Sequence, residues 1–429
     1  MAGDRSRCMA CRTESVEEFL DIGTIPVANN FVPADKLGDP EPAYPLRVGY
    51  CHHCSHCQLL DMVPPTELFD DYTYLSGVSV TISEYLRGIA SALVDRYSLG
   101  PDDLAIDIGS NDGTLLTGYL PHHVKVLGVE PAKNLLEISK AAGVETLCDY
   151  FGLKTAREVL DKYGQASVIT SVNNFAHVPD LHDFVQGVDA LLKEDGVFIV
   201  EIHYLMKMIQ DGAFDTVYHE HMSYWGLIPM IALFEQYNMH AIRAEVLDIH
   251  HGQLRVYVSR KDELQPDETV AAIVDHEREV GIPGWESCRE LAENARSART
   301  DLLKLINKLI GEGATIGGYG ATAKGNTLLS FLGIGCIRRA RANPLSNSIS
   351  RRDSALASLD TGCSGTSTSK SVKRINSPSQ IALRGRLTNT PTCDVLASSR
   401  TEVGRSIPLV WGQTAPVSKR FMGSWITAK

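Results

Sequence analysis

"LAIDIGSNDGTLL", residues 104–116, decides how this chain is read. An apolar run enters a turn that carries Gly109 and Gly113, and a second apolar segment follows. That order is strand, glycine turn, helix, the opening of an α/β unit. Glycine at both places lets backbone approach a ligand at the helix N-terminus. Glu130 ends the next apolar run, "KVLGVE", 21 residues after Gly109. An acid at the tip of a second strand suits a ribose diol. The turn is not G-x-G-x-x-G, which speaks against a dinucleotide.

Working outward, strand-like and helix-like segments alternate. "SVITSVNNF" and "GVFIVEIHYL" are further apolar runs, with helical patterns between them at 131–142, 154–163 and 181–194. This predicts a parallel sheet covered by helices. Residues 82–97 read as an amphipathic helix. "MHAIRAEVLDI" and "GQLRVYVSR" leave no room for a helix between them and predict an antiparallel pair at one sheet edge. Residues 266–311 read as helical, broken near "GIPGW". "ATIGGYGATAKGNTLLSFLGI" reads as strand, glycine turn and helix, the start of a second α/β unit, with its strand at 314–319. Beyond residue 335 no element is convincing.

The D-x-G-x-x-D-G turn with its following acid resembles the S-adenosylmethionine (SAM) pocket of class I methyltransferases. That resemblance implies cofactor contacts from Asp107, Gly109, Asn111, Asp112, Gly113 and Glu130. Asp149 of "CDYF" falls where such folds meet adenine. Asn173, Asn174 and His177 follow the fourth strand-like run, and carboxyl ends of such strands face the ligand crevice.

Composition narrows the classes. The chain has 429 residues, 44% apolar and 22% charged, the balance of a globular protein of two or three domains. A net charge of -11 argues against nucleic acid as a partner. No run of about 18 apolar residues predicts a membrane helix. The N-terminus has no apolar segment of the secretory kind. Five of ten cysteines lie in the first 57 residues, which points to metal binding in a reducing, cytoplasmic setting. Cys8-x-x-Cys11 and Cys51-x-x-Cys54 can place four thiolates about one Zn²⁺, with Zn–S near about 2.3 Å. Four thiolates leave no open position, so the ion is structural. Cys57 is a rival ligand, and His52, His53 and His56 lie close by.

"FDTVYHEHMSYW", residues 214–225, sets Tyr218, His219, Glu220 and His221 among aromatic and apolar residues. If extended, Tyr218 and Glu220 share one face and the histidines the other; if helical, Tyr218 and His221 share a face. The stretch reads as a general base in an apolar pocket, as an H-x-H metal pair, or as an aromatic patch with capped histidines.

Together these stretches, with "FDDYTYLSGVSVT", "GVEPAKNL", "NNFAHVPDL", "EIHYL" and "HHGQLRVYV", resemble the SAM-dependent sugar C-methyltransferases of deoxysugar biosynthesis. The resemblance covers residues 8–335. It implies a class I SAM methyltransferase Rossmann-like sheet, preceded by a small zinc-binding domain and followed by a second Rossmann-like domain. The corresponding divisions here are 1–70, 71–260 and 261–335. It implies that a base removes a proton beside the ketone of a nucleotide-linked 4-keto sugar, and that the resulting enolate takes the SAM methyl group. His221 is the implied base, ahead of His219, with Glu220, Tyr218, His177 and Tyr72 or Tyr74 around the sugar. The alternatives are an O- or N-methyltransferase on another small molecule, or an inactive truncated homologue.

The resemblance ends abruptly near Gly335. From Cys336 onward there are 15 Lys+Arg against 4 Asp+Glu, a net of +11, which leaves -22 for residues 1–335. None of the 14 histidines lies after that point. This predicts an incomplete C-terminal domain and a tail, 336–429, that is disordered or read out of frame. A one-base shift of the coding DNA near codon 336 is expected to restore family-like sequence. If neither shifted frame does so, the tail is natural.

Overall fold

The structure is a computed structural model that describes residues 3–4, 7–33, 36, 39–249, 252–260, 266–319, 322–334, 394–400 and 406–409. These fall in two compact units. The first holds Met1–Asp21, Arg47–Gln210 and His219–Glu290, and the second Ile22–Leu46, Asp211–Tyr218 and the chain from Leu291.

The apolar run that opened the sequence reading is the strand Leu104–Ile108, buried at all five positions. It lies inside a seven-stranded sheet. From one edge the order is Thr146–Leu147, Lys125–Val129, Leu104–Ile108, Ala166–Val172, Leu192–His203, Gln253–Ser259 and His240–Leu247. Counted in chain order that is 3-2-1-4-5-7-6. The first five are mutually parallel, and Gln253–Ser259 runs antiparallel to both its neighbours. The expected antiparallel pair is therefore present, with His240 opposite Ser259. Its second strand is inserted one place in from the edge. Strand order reverses between Leu104–Ile108 and Ala166–Val172, and such a reversal opens a crevice at the carboxyl ends.

The helix Val80–Tyr97 covers one face of this sheet. Ser79 caps it by accepting the Ile82 N–H. Leu86, Ile89, Ala90 and Leu93 pack on Ala105, Val168, Val197, Ile199 and Tyr257. Apolar spacing of three and four is what presents one stripe to the sheet. Leu153–Tyr163 and Leu181–Leu191 are the expected crossover helices. Asp180 starts the second by accepting from the His182 and Asp183 amides. The helical region after residue 266 divides into Glu268–Val280 and Trp285–Gly311 around "GIPGW", as read. Gly281, at φ +70°, ends the first.

A smaller sheet orders Ser223–Tyr224, Cys57–Leu59, Ala43–Cys51 and Val16–Pro26. The stretch read as extended or helical is neither throughout. It begins as a short 3₁₀ turn, Phe214–Thr216, and ends as the strand Ser223–Tyr224.

In the second unit, Thr315–Tyr319 and Ala323–Leu332 are the strand and helix expected around the glycine turn. Thr322 caps that helix by accepting the Gly325 N–H. Thr327 Oγ1 donates to the Val217 carbonyl at 2.9 Å. No convincing element was expected past residue 335, yet Asp394–Arg400 pairs antiparallel with Thr315–Tyr319, and Ser406–Leu409 continues the sheet. The rest of the tail lies outside the described residues. Among the described residues, no helix is long and apolar enough to cross a membrane.

Candidate active site and metal centre

The crevice is built by the turn after Leu104–Ile108. Gly109 adopts φ +71° and Gly113 φ +78°. A Cβ on Gly109 would stand 2.5 Å from Asn174 Cγ, so the glycine is needed where the loops after the first and fourth strands meet. Glu130 is buried and receives the Asn111 and Ala132 amides at 2.9 Å each. Burial pushes its carboxyl up from the ordinary value. Asp107 is pushed up to about 7, chiefly by burial, while it accepts the Thr170 hydroxyl at 2.6 Å. Asn111 and Asp112 face a different way from a simple cofactor clamp. Asn111 accepts the Ser76 N–H and donates to the Tyr74 carbonyl, and Asp112 accepts the Gly77 N–H. They tie the segment 74–77 over the turn. Asp149 is half-buried and accepts the Tyr150 N–H and the Thr155 hydroxyl. Asn173, at φ +55°, accepts from Gln253.

Beside this crevice stands a row of rings. Phe69 stacks on His177 at 5.4 Å, His177 on His221 at 5.4 Å, and His221 meets His203 at 5.3 Å. His177 ends the 3₁₀ turn Phe175–His177 after the fourth strand, and His203 ends the fifth. Tyr72 Oη donates to Glu220 Oε2 at 3.0 Å. Asn134 holds Tyr72 in place through both backbone groups of that tyrosine. Of the two candidate tyrosines, Tyr72 thus meets the acidic block, and Tyr74 is exposed. His219, Glu220 and His221 are all buried. Tyr218 is half-buried and belongs to the second unit. In sequence His203 is marked only by its place at the end of the apolar run in "EIHYL"; a strand-ending histidine one strand from "NNFAH" is the signal that points to it.

The block is fixed by its backbone. The Met222 N–H donates to the Ala176 carbonyl at 2.8 Å, and its carbonyl accepts the Leu59 N–H at 2.9 Å. Ser223 and Tyr224 pair with Gln58 and Cys57. Trp225 packs on Phe175 and on His56.

The Sγ atoms of Cys8, Cys11, Cys51 and Cys54 all lie within 4.8 Å of one another. Cys8–Cys54 and Cys11–Cys51 are 3.6 Å apart. A tetrahedral Zn²⁺ with Zn–S about 2.3 Å spaces its sulfurs about 3.8 Å apart, so the donor set fits. Each C-x-x-C turns the same way. Arg12 and Ser55 follow at φ +62° and +63°, donating back to the Cys8 and Cys51 carbonyls. Gln58 joins the two halves by accepting the Met9 N–H and donating to the Arg7 carbonyl. Cys57 stands apart, its sulfur 3.6 Å from Cys288.

Comparison with known proteins follows this division. Residues 8–69 match the family described as "Putative zinc binding domain", residues 82–243 "Methyltransferase domain", and residues 248–338 "C-methyltransferase C-terminal domain". The C-methyltransferase NovU of Streptomyces niveus is 32% identical over 331 residues, covering 76% of this chain and 78% of its own. The chain belongs to the SAM-dependent C-methyltransferases. A Dictyostelium discoideum protein described as "Putative methyltransferase" is 29% identical over 158 residues, 37% of this chain and 58% of its own. A SAM-dependent methyltransferase structure from Clostridium acetobutylicum covers 42% of this chain and 92% of its own, at 12% identity and a TM-score of 0.34, too slight a likeness to argue from. In this C-methyltransferase the strand reversal, the glycine turn and the row of imidazoles all lie at the same carboxyl edge.

Burial lowers the His177 imidazole from 6.5 to about 4. Between those values the unfolded chain binds the proton and the folded chain does not. His177 therefore adds stability that is fully present above 6.5 and lost as pH falls toward 4. Denaturant midpoints measured at pH about 7 and about 4.5 are expected to differ less in His177→Gln than in the parent. An identical difference in both proteins would assign the acid sensitivity elsewhere.

Proposed function

We propose that this C-methyltransferase acts on a nucleotide-linked 4-keto-deoxysugar, methylating the carbon beside the ketone. The observation that carries the reading is the buried His221, stacked against a neutral His177 and adjacent to the Tyr72–Glu220 pair. SAM supplies the electrophilic methyl group when bound. The chain's own groups must then make a carbon nucleophile. His221 takes the proton from the carbon beside the ketone, in an apolar pocket where a neutral base is favoured. The imidazole N–H groups around it donate to the ketone oxygen as negative charge develops there. Glu220 accepts the Tyr72 hydroxyl and so fixes that ring beside the base. Neither an O- nor an N-methyl acceptor needs such a base beside a carbon.

The cofactor assignment follows the turn. Asp107, Gly109, Asn111, Asp112 and Gly113 shape the pocket, Glu130 takes the ribose hydroxyls, Asp149 lies toward adenine, and Asn173 lies where the fourth strand ends. Cys8, Cys11, Cys51 and Cys54 hold one structural Zn²⁺, supported by the sulfur spacing. Four ligating thiolates suit a reducing compartment, hence the cytoplasm. The divisions 1–70, 71–260, 261–335 and 336–429 remain the proposed domain plan.

Two experiments test this. With SAM and a panel of nucleotide-linked 4-keto sugars, the parent is expected to add CH₂ to one of them, by mass, and to exchange the proton beside its ketone in deuterated water. His221→Gln is expected to lose both reactions by about 10²–10⁴-fold while SAM affinity stays at the parent value. Exchange that persists would move the base to His219 or Glu220. Metal analysis is expected to find one zinc per chain, lost together with cooperative unfolding in Cys54→Ala. Zinc-free parent protein that folds normally would remove the ion from the proposal.

A further inference from the structure

We propose that Gln253 is a positioning residue that holds the Asn173 carboxamide with its amino group turned into the crevice, ready to donate to an oxygen of bound SAM. Asn173 stands at the carboxyl end of the strand Ala166–Val172, where strand order reverses. Its backbone is left-handed, a conformation asparagine tolerates, and its N–H is bonded to the Glu201 carbonyl at 2.8 Å. Gln253 opens the antiparallel strand Gln253–Ser259 opposite His203 and is fully buried. Gln253 Nε2 donates to Asn173 Oδ1 at 2.8 Å. Asn173 itself is half-buried, and among the described residues no group accepts from its Nδ2.

The direction of that bond follows from burial. Gln253 Oε1 is buried and has no partner among the described residues. Turning both amides over would put the Gln253 NH₂ in that place instead. Two buried N–H donors without acceptors cost more than one under-used carbonyl oxygen. The glutamine is therefore held as donor and the Asn173 oxygen is occupied by it. What Asn173 has left for a ligand is its NH₂, and an NH₂ seeks an acceptor. The methionyl carboxylate and ribose hydroxyls of SAM are such acceptors. The inference rests on SAM dependence and not on the sugar proposed above.

The test is a cycle of SAM affinities by calorimetry on the full chain. Gln253→Met keeps the length of the side chain and removes the donor, so the Asn173 amide is free to turn. SAM is expected to bind about tenfold more weakly to Gln253→Met than to the parent. In an Asn173→Ala background, adding Gln253→Met is expected to change affinity by less than about twofold, because the group it positions is gone. Unchanged affinity in the first comparison overturns the proposal. Equal losses in both backgrounds also overturn it, since a general loosening of the crevice acts with or without Asn173. Asn173→Asp provides a nearly isosteric check that leaves Gln253 in place. It puts an acceptor where the donor was and is expected to lose at least tenfold; parent-like affinity overturns the proposal.

Discussion

The backbone of one residue holds the chemical centre together. Met222 donates its N–H to Ala176 and accepts the Leu59 N–H through its carbonyl. Buried backbone N–H and C=O groups both need partners, and here the two partners come from different parts of the fold. Ala176 belongs to the turn that follows the fourth strand of the large sheet. Leu59 belongs to the small sheet that carries the second cysteine pair. Residues 219–221 precede this point in the chain, so their depth is set by it. The cysteine cluster then has a mechanical role at a distance. Cys51 and Cys54 shape the hairpin whose return strand, Cys57–Leu59, supplies both the Leu59 bond and the pairing to Ser223 and Tyr224.

Such anchoring matters because the groups it buries resist burial. A carboxylate or imidazolium away from water is disfavoured unless paired, and the protonation states respond. His177 is driven toward neutrality and Asp107 toward its protonated form, both chiefly by burial. Where a charge is kept inside, it is matched. Glu201 lies fully buried opposite Arg255 on the neighbouring strand, bonded to it at 2.7 and 2.8 Å and to the Tyr85 hydroxyl at 2.8 Å. That pair lies two residues inward from His203 and Gln253 on the same two strands. It locks their register, since a slip of one residue would bury both charges unpaired.

Much of this was legible because local patterns and tertiary demands agree. "LAIDIGSNDGTLL" was legible as strand and glycine turn, but the helix expected after Gly113 is absent: two 3₁₀ turns, Leu116–Gly118 and Leu120–His122, lead into the next strand instead. The four cysteines converge because C-x-x-C followed by a left-handed residue is a self-contained turn. What stayed illegible depends on pairings across long sequence separations. Nothing near Asn111 and Asp112 reveals that their side chains tie down residues 74–77, and the glycine-turn pattern had suggested cofactor contacts alone. Tyr72 and Tyr74 are equivalent by composition. Only the Asn134 clamp, about sixty residues away, turns Tyr72 toward Glu220. The fold of residues 214–225 was undecidable locally because its strand exists only through Gln58 and Cys57.

The same logic explains why His203 escaped notice. In sequence it is one histidine closing an apolar strand, and such a residue is most often a capped end. Its meaning comes from the sheet order. The fourth and fifth strands are neighbours, so residues just beyond their carboxyl ends are brought side by side. His177 follows the fourth strand, His203 closes the fifth, and His221 is carried between them by the Met222 bonds. Three imidazoles in line are thus a product of strand order and not of any motif.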